Sequence, residues 1–260
     1  MIRYILFFFL TACASVRKPQ WPRSSQLTGT AYYEGAASFG WEKLDSFSRI
    51  AILEGNMPEF LRHFKPIHVM HFDSASGKKT RLTYWVAPDY LSVGTQSDWA
   101  RIHVTGRLAT ELADRLECFL PTRKMVDQIY KQAKIKLAPV PMYAFRDSTP
   151  TFWQHHLIIE GQRKGREGLI AGIKKDLVQT GRLNEPGNKD RVAIYGWHRL
   201  DGSPIQKLYT GHIWWYVDYS QAVRLVHQRM RVNGKWVHYK EVFRNESLRK
   251  LICDVVDCGF

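Results

Sequence analysis

AVRLVHQRMRVNGKWVHYKEVF, residues 222–243, reads as two extended segments folded about a tight turn. Ala222 to Met230 and Lys235 to Phe243 are rich in β-branched and aromatic residues. Asn233-Gly234 between them tolerates the positive φ angles that a two-residue hairpin requires. Further strands are expected upstream, at Leu169 to Val178, Arg191 to Trp197 and His212 to Tyr219. The middle of the chain changes period. Thr105 stands as an N-cap before a helix through Leu116, Pro121-Thr122 open a second helix to Ala133, and a third covers Thr151 to Arg163. Before these come strands at Ile67 to Phe72, Arg81 to Val86, Tyr90 to Val93 and Trp99 to Val104. Apolar residues at helical spacing run from Trp41, with a break at Gly55-Asn56 and a short second helix after Pro58. Strands and helices in separate runs predict a single α+β domain over residues 41–260, with antiparallel sheets and helices in the central third.

The N-terminus reads differently. Met1-Ile2-Arg3 carries one charge, Tyr4 to Leu10 is apolar, and Leu10-Thr11-Ala12-Cys13 follows. A basic start, a short apolar run and small residues at a cleavage point describe a secretory leader over residues 1–12. Seven apolar residues are too few to span a bilayer as a helix, which takes about 20. The ending resembles the lipobox of bacterial lipoproteins, which implies a lipidated Cys13 as the mature N-terminus. A plain secretory signal and an apolar strand are the alternatives. Residues 13–40 are expected to hold the lipidated cysteine and a tether, since Val16 to Arg23 contains two prolines and three positive charges without apolar periodicity. These features place the protein on the cell envelope, lipid-anchored on the periplasmic or extracellular side of a membrane.

Of 260 residues, 45% are hydrophobic and 24% charged, the proportions of a folded domain. Arg3 is the only charge of the leader, so the mature chain keeps 37 basic and 24 acidic residues, a formal +13. Such a balance concerns partners. On an envelope these are the membrane itself and anionic polymers: lipid or teichoic phosphates and peptidoglycan carboxylates. The basic residues are dispersed, and no helix-turn-helix, zinc-finger or RNP pattern is present, which argues against nucleic acid. Cys253 and Cys258 bracket Asp-Val-Val-Asp at the C-terminus. In an oxidising compartment a small disulfide loop is the simplest reading, and a metal site lacks further ligands there.

Candidate chemistry falls in three places. Cys118 precedes the helix that starts near Thr122, a position where a thiolate could be stabilised, and His212 follows later in the chain as in papain-like amidases; a buried structural cysteine is the other reading. His155-His156 lies on a helix with Glu160 one turn on from His156, without the His-Glu-x-x-His zinc pattern. The most unusual decamer is GHIWWYVDYS, residues 211–220. Read as a strand, it places His212, Trp214, Tyr216, Asp218 and Ser220 on one face, a floor suited to a sugar or peptide, with a solvated amphipathic strand as the plainer account. His212 and Asp218 are the candidate proton-handling pair, with His198 beside them. Lys175, Asp176, Trp214, Tyr216, Ser220 and His155 are candidate ligand-binding residues. No spacing among His155, His198 and His212 selects a metal, and no cofactor is implied.

LPTRKMVD (120–127), KKD (174–176), VAIYGWH (192–198) and WYVDYS (215–220) together resemble an uncharacterised family of exported bacterial proteins, over most of Trp41 to Val226. The resemblance implies a domain and a location more than a reaction. The family pattern continues with His-Gly where this chain has Gln221 and Ala222, which puts catalysis in doubt. Two functions are therefore expected: a hydrolase of peptidoglycan or another cell-surface polymer, or a non-catalytic lipoprotein that binds glycan or peptide. A phage- or plasmid-borne receptor blocker is a variant of the second.

Overall fold

Asn233 and Gly234 take φ angles of 48° and 88°, and the turn they make joins strands Arg229–Val232 and Lys235–His238 in antiparallel register. The computed structural model describes residues 20–254 except 25, 75 and 76. Around this hairpin a six-stranded antiparallel sheet is built on Lys78–Val86. Lys65–Asp73 pairs with that strand along its whole length. Arg229–Val232 and Val226–His227 pair with its other side, and Cys118–Phe119 adds to Val226–His227. A second, four-stranded sheet runs in the order Pro204–Ile213, Arg191–His198, Lys175–Leu177, Gln221–Ala222. Its last pair is parallel, with Gln221 opposite Lys175.

Helix Arg123–Gln132 lies between the sheets. Met125 and Ile129 pack with Leu82 and Tyr84 of the first, while Val126 packs with Ala193 and Tyr195 of the second. Thr122 caps it, as Thr105 caps Gly106–Arg115 and Ser148 caps Thr149–Arg163. The fold is α+β, with predominantly antiparallel sheets and three helices in the central third.

The folded body starts earlier than residue 41. Trp21 is buried and donates from Nε1 to the Leu116 carbonyl, and Arg62 donates to the carbonyls of Trp21 and Pro22. Thr28 caps a seven-residue helix, Gly29–Gly35, whose Tyr32 stacks on Phe47 at 5.0 Å. The expected tether up to residue 40 is corrected on this point. A two-turn helix is too short to show apolar periodicity, and the prolines that suggested a linker frame a buried tryptophan. Gly29 is required by contact: a Cβ there would lie 2.4 Å from the Trp99 carbonyl carbon. Cys13 and Cys258 lie outside the described residues; Cys253 is buried and disulfide-bonded.

Four strand expectations are also revised. Leu169 to Val178 divides into Ile170–Ala171 and Lys175–Leu177. Ala222 to Met230 divides into three short strands, and Lys235 to Phe243 gives way to helix Tyr239–Arg244, with His238 and Glu241 forming a capping box. The fourth is the decamer. Its strand ends at Ile213 and the chain turns through Trp214-Trp215, so period-two alternation does not hold beyond that point.

Candidate functional site

Lys174, Lys175 and Asp176 are consecutive, ionisable and buried. Removing charges from water is costly, so three in succession need specific partners. Each has its own set.

Lys174 is fully buried. Its Nζ is 2.8 Å from His103 Nε2 and 2.8 Å from His155 Nδ1, and it donates to the Tyr219 carbonyl. Three acceptors around an amine accommodate an ammonium, and a tautomer change at either imidazole accommodates a neutral amine equally well. Burial first, and then the Arg101 charge, push the Lys174 ammonium well below its ordinary range. Burial and Lys174 likewise hold His103 low, and His155 is pushed down to about 2. Both rings are neutral at physiological pH. Helix Thr149–Arg163 supplies His155, and the segment after strand Trp99–Arg101 supplies His103. The candidate ligand-binding role of His155 is thereby corrected: the residue is buried and its Nδ1 is held by Lys174.

Lys175 lies 3.6 Å from Asp218 Oδ2, and Arg146 donates to the same oxygen at 2.8 Å. Asp218 Oδ1 accepts from the Ser220 amide at 2.8 Å and its hydroxyl at 2.5 Å. Burial alone would raise the Asp218 carboxyl. Lys175, the two Ser220 donors and Arg146 outweigh it and hold the group below the usual range. These donors occupy both oxygens. Asp218 therefore makes no hydrogen bond to His212, which stacks on Tyr216 at 4.5 Å instead. The expected His212/Asp218 proton pair is not formed, because the carboxylate is committed to closing its own loop.

Asp176 points the other way. It accepts from Tyr90 Oη at 3.1 Å and lies 3.9 Å from Arg224 Nε, and burial raises its pKa to about 6. It has no path to the groups of Lys175 and is a member of the interior, not of a ligand surface.

Beside the first two clusters is a cleft of about 210 Å³. Phe39, Trp41, Phe152, Trp215 and Tyr216 give it aromatic walls, and Asp45, His103 and Asp147 are its polar groups. Trp41 stacks on Trp215 at 6.2 Å and meets Trp214 edge-on at 5.2 Å. Thr105 binds both Asp45 oxygens through its amide and hydroxyl, yet burial still raises that carboxyl above its ordinary value. The turn at Trp214-Trp215 brings Trp215 and Tyr216 into the cleft. Trp214 faces elsewhere, under the Arg107 guanidinium at 3.8 Å, in place of its expected position beside Tyr216.

His198 belongs to a separate cavity of about 520 Å³ with Tyr130, Lys131, Lys136 and Asp201. Its Nε2 is 3.0 Å from Asp127 Oδ1, which also accepts from Tyr195 Oη at 2.8 Å. The residues VAIYGWH and LPTRKMVD thus meet at one carboxylate, away from His212. Cys118 is neither in a cleft nor at a helix start. It pairs in strand Cys118–Phe119 with His227, and burial pushes its thiol well above the ordinary range, the opposite of an activated nucleophile. Ser220 is buried and bound to Asp218. His155, His198 and His212 have separate partners, and among the described residues no group of three or more His, Cys, Asp or Glu is placed to hold a metal ion. No described helix is long and apolar enough to cross a membrane.

His103, Lys174, Arg146 and Trp41 are site residues that sequence reasoning missed. Lys174 had a signal, since a second lysine inside an apolar segment is expensive unless used. The other three carry none: they come from distant elements. No protein-family model, curated protein or solved structure matches the chain.

Proposed function

We propose that this protein is a lipid-anchored component of the cell envelope that binds a glycan or glycopeptide of a cell-surface polymer, peptidoglycan being the foremost candidate. The observation that carries the reading is the aromatic cleft: Trp41, Trp215 and Tyr216 line it together with Asp45, His103 and Asp147. Aromatic planes offer contact area to the C–H faces of a sugar, and a few fixed polar groups orient its hydroxyls. The leader with Cys13, the +13 balance of the mature chain and the resemblance to exported proteins support the envelope setting. Co-sedimentation of the full chain with purified peptidoglycan tests it. Trp215→Ala is expected to weaken binding about tenfold, the loss of one ring contact of roughly 1–1.5 kcal/mol. Undiminished binding by the variant would remove the cleft from the function.

One observation favours a second reading, hydrolysis of the same polymer. His103 lines the cleft and touches Lys174, an amine whose charged form burial disfavours. Such a group is suited to exchanging protons with a bound ligand through the imidazole. Release of soluble fragments from peptidoglycan by the wild type, lost in His103→Ala, is the expected result. Equal release by both proteins, or none by either, rejects it.

A further inference from the structure

Tyr143 and Phe145 are the two most solvent-exposed large apolar side chains among the described residues, at 90% and 80%. They stand two residues apart on a loop that is firmly held. The Met142 amide donates to Tyr219 Oη at 2.8 Å, the Tyr219 amide donates to the Arg146 carbonyl at 2.8 Å, and Arg146 pairs with Asp218. The Ser148 amide closes the loop on the Phe145 carbonyl at 3.0 Å. Phe145 has a φ of 47°, a region bulky residues avoid at a cost of about 1–3 kcal/mol. The fold thus spends backbone strain to hold a phenyl ring in water, which no packing requirement explains.

The position of the loop gives the ring a use. Asp147, two residues on from Phe145, lines the aromatic cleft, and Arg146 is bound to the Asp218 cluster behind it. The cleft, about 210 Å³, falls below the roughly 300–1,000 Å³ of sites that enclose a drug-sized ligand. It has room for about one sugar ring. A polymer seated there has to continue across the protein surface, and two and four residues along the chain from the cleft residue Asp147 stand two exposed rings.

We propose that Tyr143 and Phe145 form an outer subsite that stacks the neighbouring unit of a polysaccharide whose first unit occupies the Trp41–Trp215 cleft. This rests on the glycan-binding reading and adds a prediction that reading does not make: affinity depends on chain length, through these two side chains.

The test titrates the full chain, by tryptophan fluorescence, with two probes: the single sugar N-acetylglucosamine and purified peptidoglycan glycan strands of several disaccharides. Wild type is expected to bind strands about tenfold tighter than the single sugar, the worth of one added ring contact. The double variant Tyr143→Ala/Phe145→Ala is expected to keep single-sugar affinity within twofold and to bind strands no better. Tyr143→Trp with Phe145 intact should retain the advantage. Equal wild-type affinity for both probes, or an alanine variant that still prefers strands, overturns the outer subsite alone. Absence of wild-type binding to either probe overturns the glycan-binding function together with it.

Discussion

Asp89→Ala should cost about 3–5 kcal/mol of unfolding free energy in urea titrations at neutral pH, the largest single-residue loss expected in this protein. Arg101 is fully buried, and Asp89 grips it with both oxygens, Nε to Oδ1 at 2.9 Å and Nη2 to Oδ2 at 2.6 Å. Its other carboxylate, Glu160 at 2.9 Å, is partly exposed and also shared with Arg163. Losing Asp89 leaves a guanidinium in the interior with a weakened counter-charge. The penalty belongs mostly to the stranded cation, so Asp89→Ala/Arg101→Met should recover much of the loss. A single variant within 1 kcal/mol of wild type would show that the pair is not energetically central. The same pair predicts acid sensitivity. Burial would raise the Asp89 carboxyl, but Arg101 more than compensates and holds it below the ordinary value. The folded state therefore binds this proton less readily than the unfolded chain. The stabilisation is complete above the ordinary carboxylate range and is lost as pH falls from that range through the depressed folded value.

Lys174→Met should change the pH dependence of stability more than any other substitution. Because burial lowers the Lys174 pKa, the unfolded chain holds a proton that the folded protein resists. Wild-type stability should therefore rise between pH 7 and pH 9, as the unfolded chain begins to lose that advantage. Methionine removes the titration, and the slope should flatten, with Lys175 supplying what remains since burial lowers it too. The window closes near pH 9, where the buried Cys118 thiol and the buried tyrosines, all raised, begin to favour the unfolded state. Parallel wild-type and variant curves would mean that Lys174 is charged in the fold. Should the variant also gain stability at pH 7 while losing ligand affinity, the lysine is retained for use and not for folding.

The elements that rest on local chemistry were legible in the sequence. Thr105, Thr122 and Ser148 begin helices because a side-chain oxygen satisfies a free amide, and Asn233-Gly234 turns because both tolerate positive φ. The strand pattern failed where polar side chains bind the backbone of their own loop. The Tyr216 amide closes a turn on the Ile213 carbonyl, and Asp218 and Ser220 close the next upon each other, so a decamer with the alternation of a strand bends twice. The site was legible only in part for the same reason. Lys175, Asp218 and Tyr216 were found as unusual residues. Their neighbours Arg146 and Trp41 reach them from elements that no short-range pattern connects.

The burial of Trp21 has a consequence for where the protein can work. If Cys13 carries the lipid, only seven residues lie between it and Trp21, whose side chain is wedged under Leu116. The eight steps from one to the other cover, at full stretch, about 26–29 Å. On that condition the body would ride close to the bilayer, and strands of polymer beyond that height would have to be drawn inward before they met the proposed binding surface. Inserting a hydrophilic spacer after Val16 would lengthen the reach without touching the folded part.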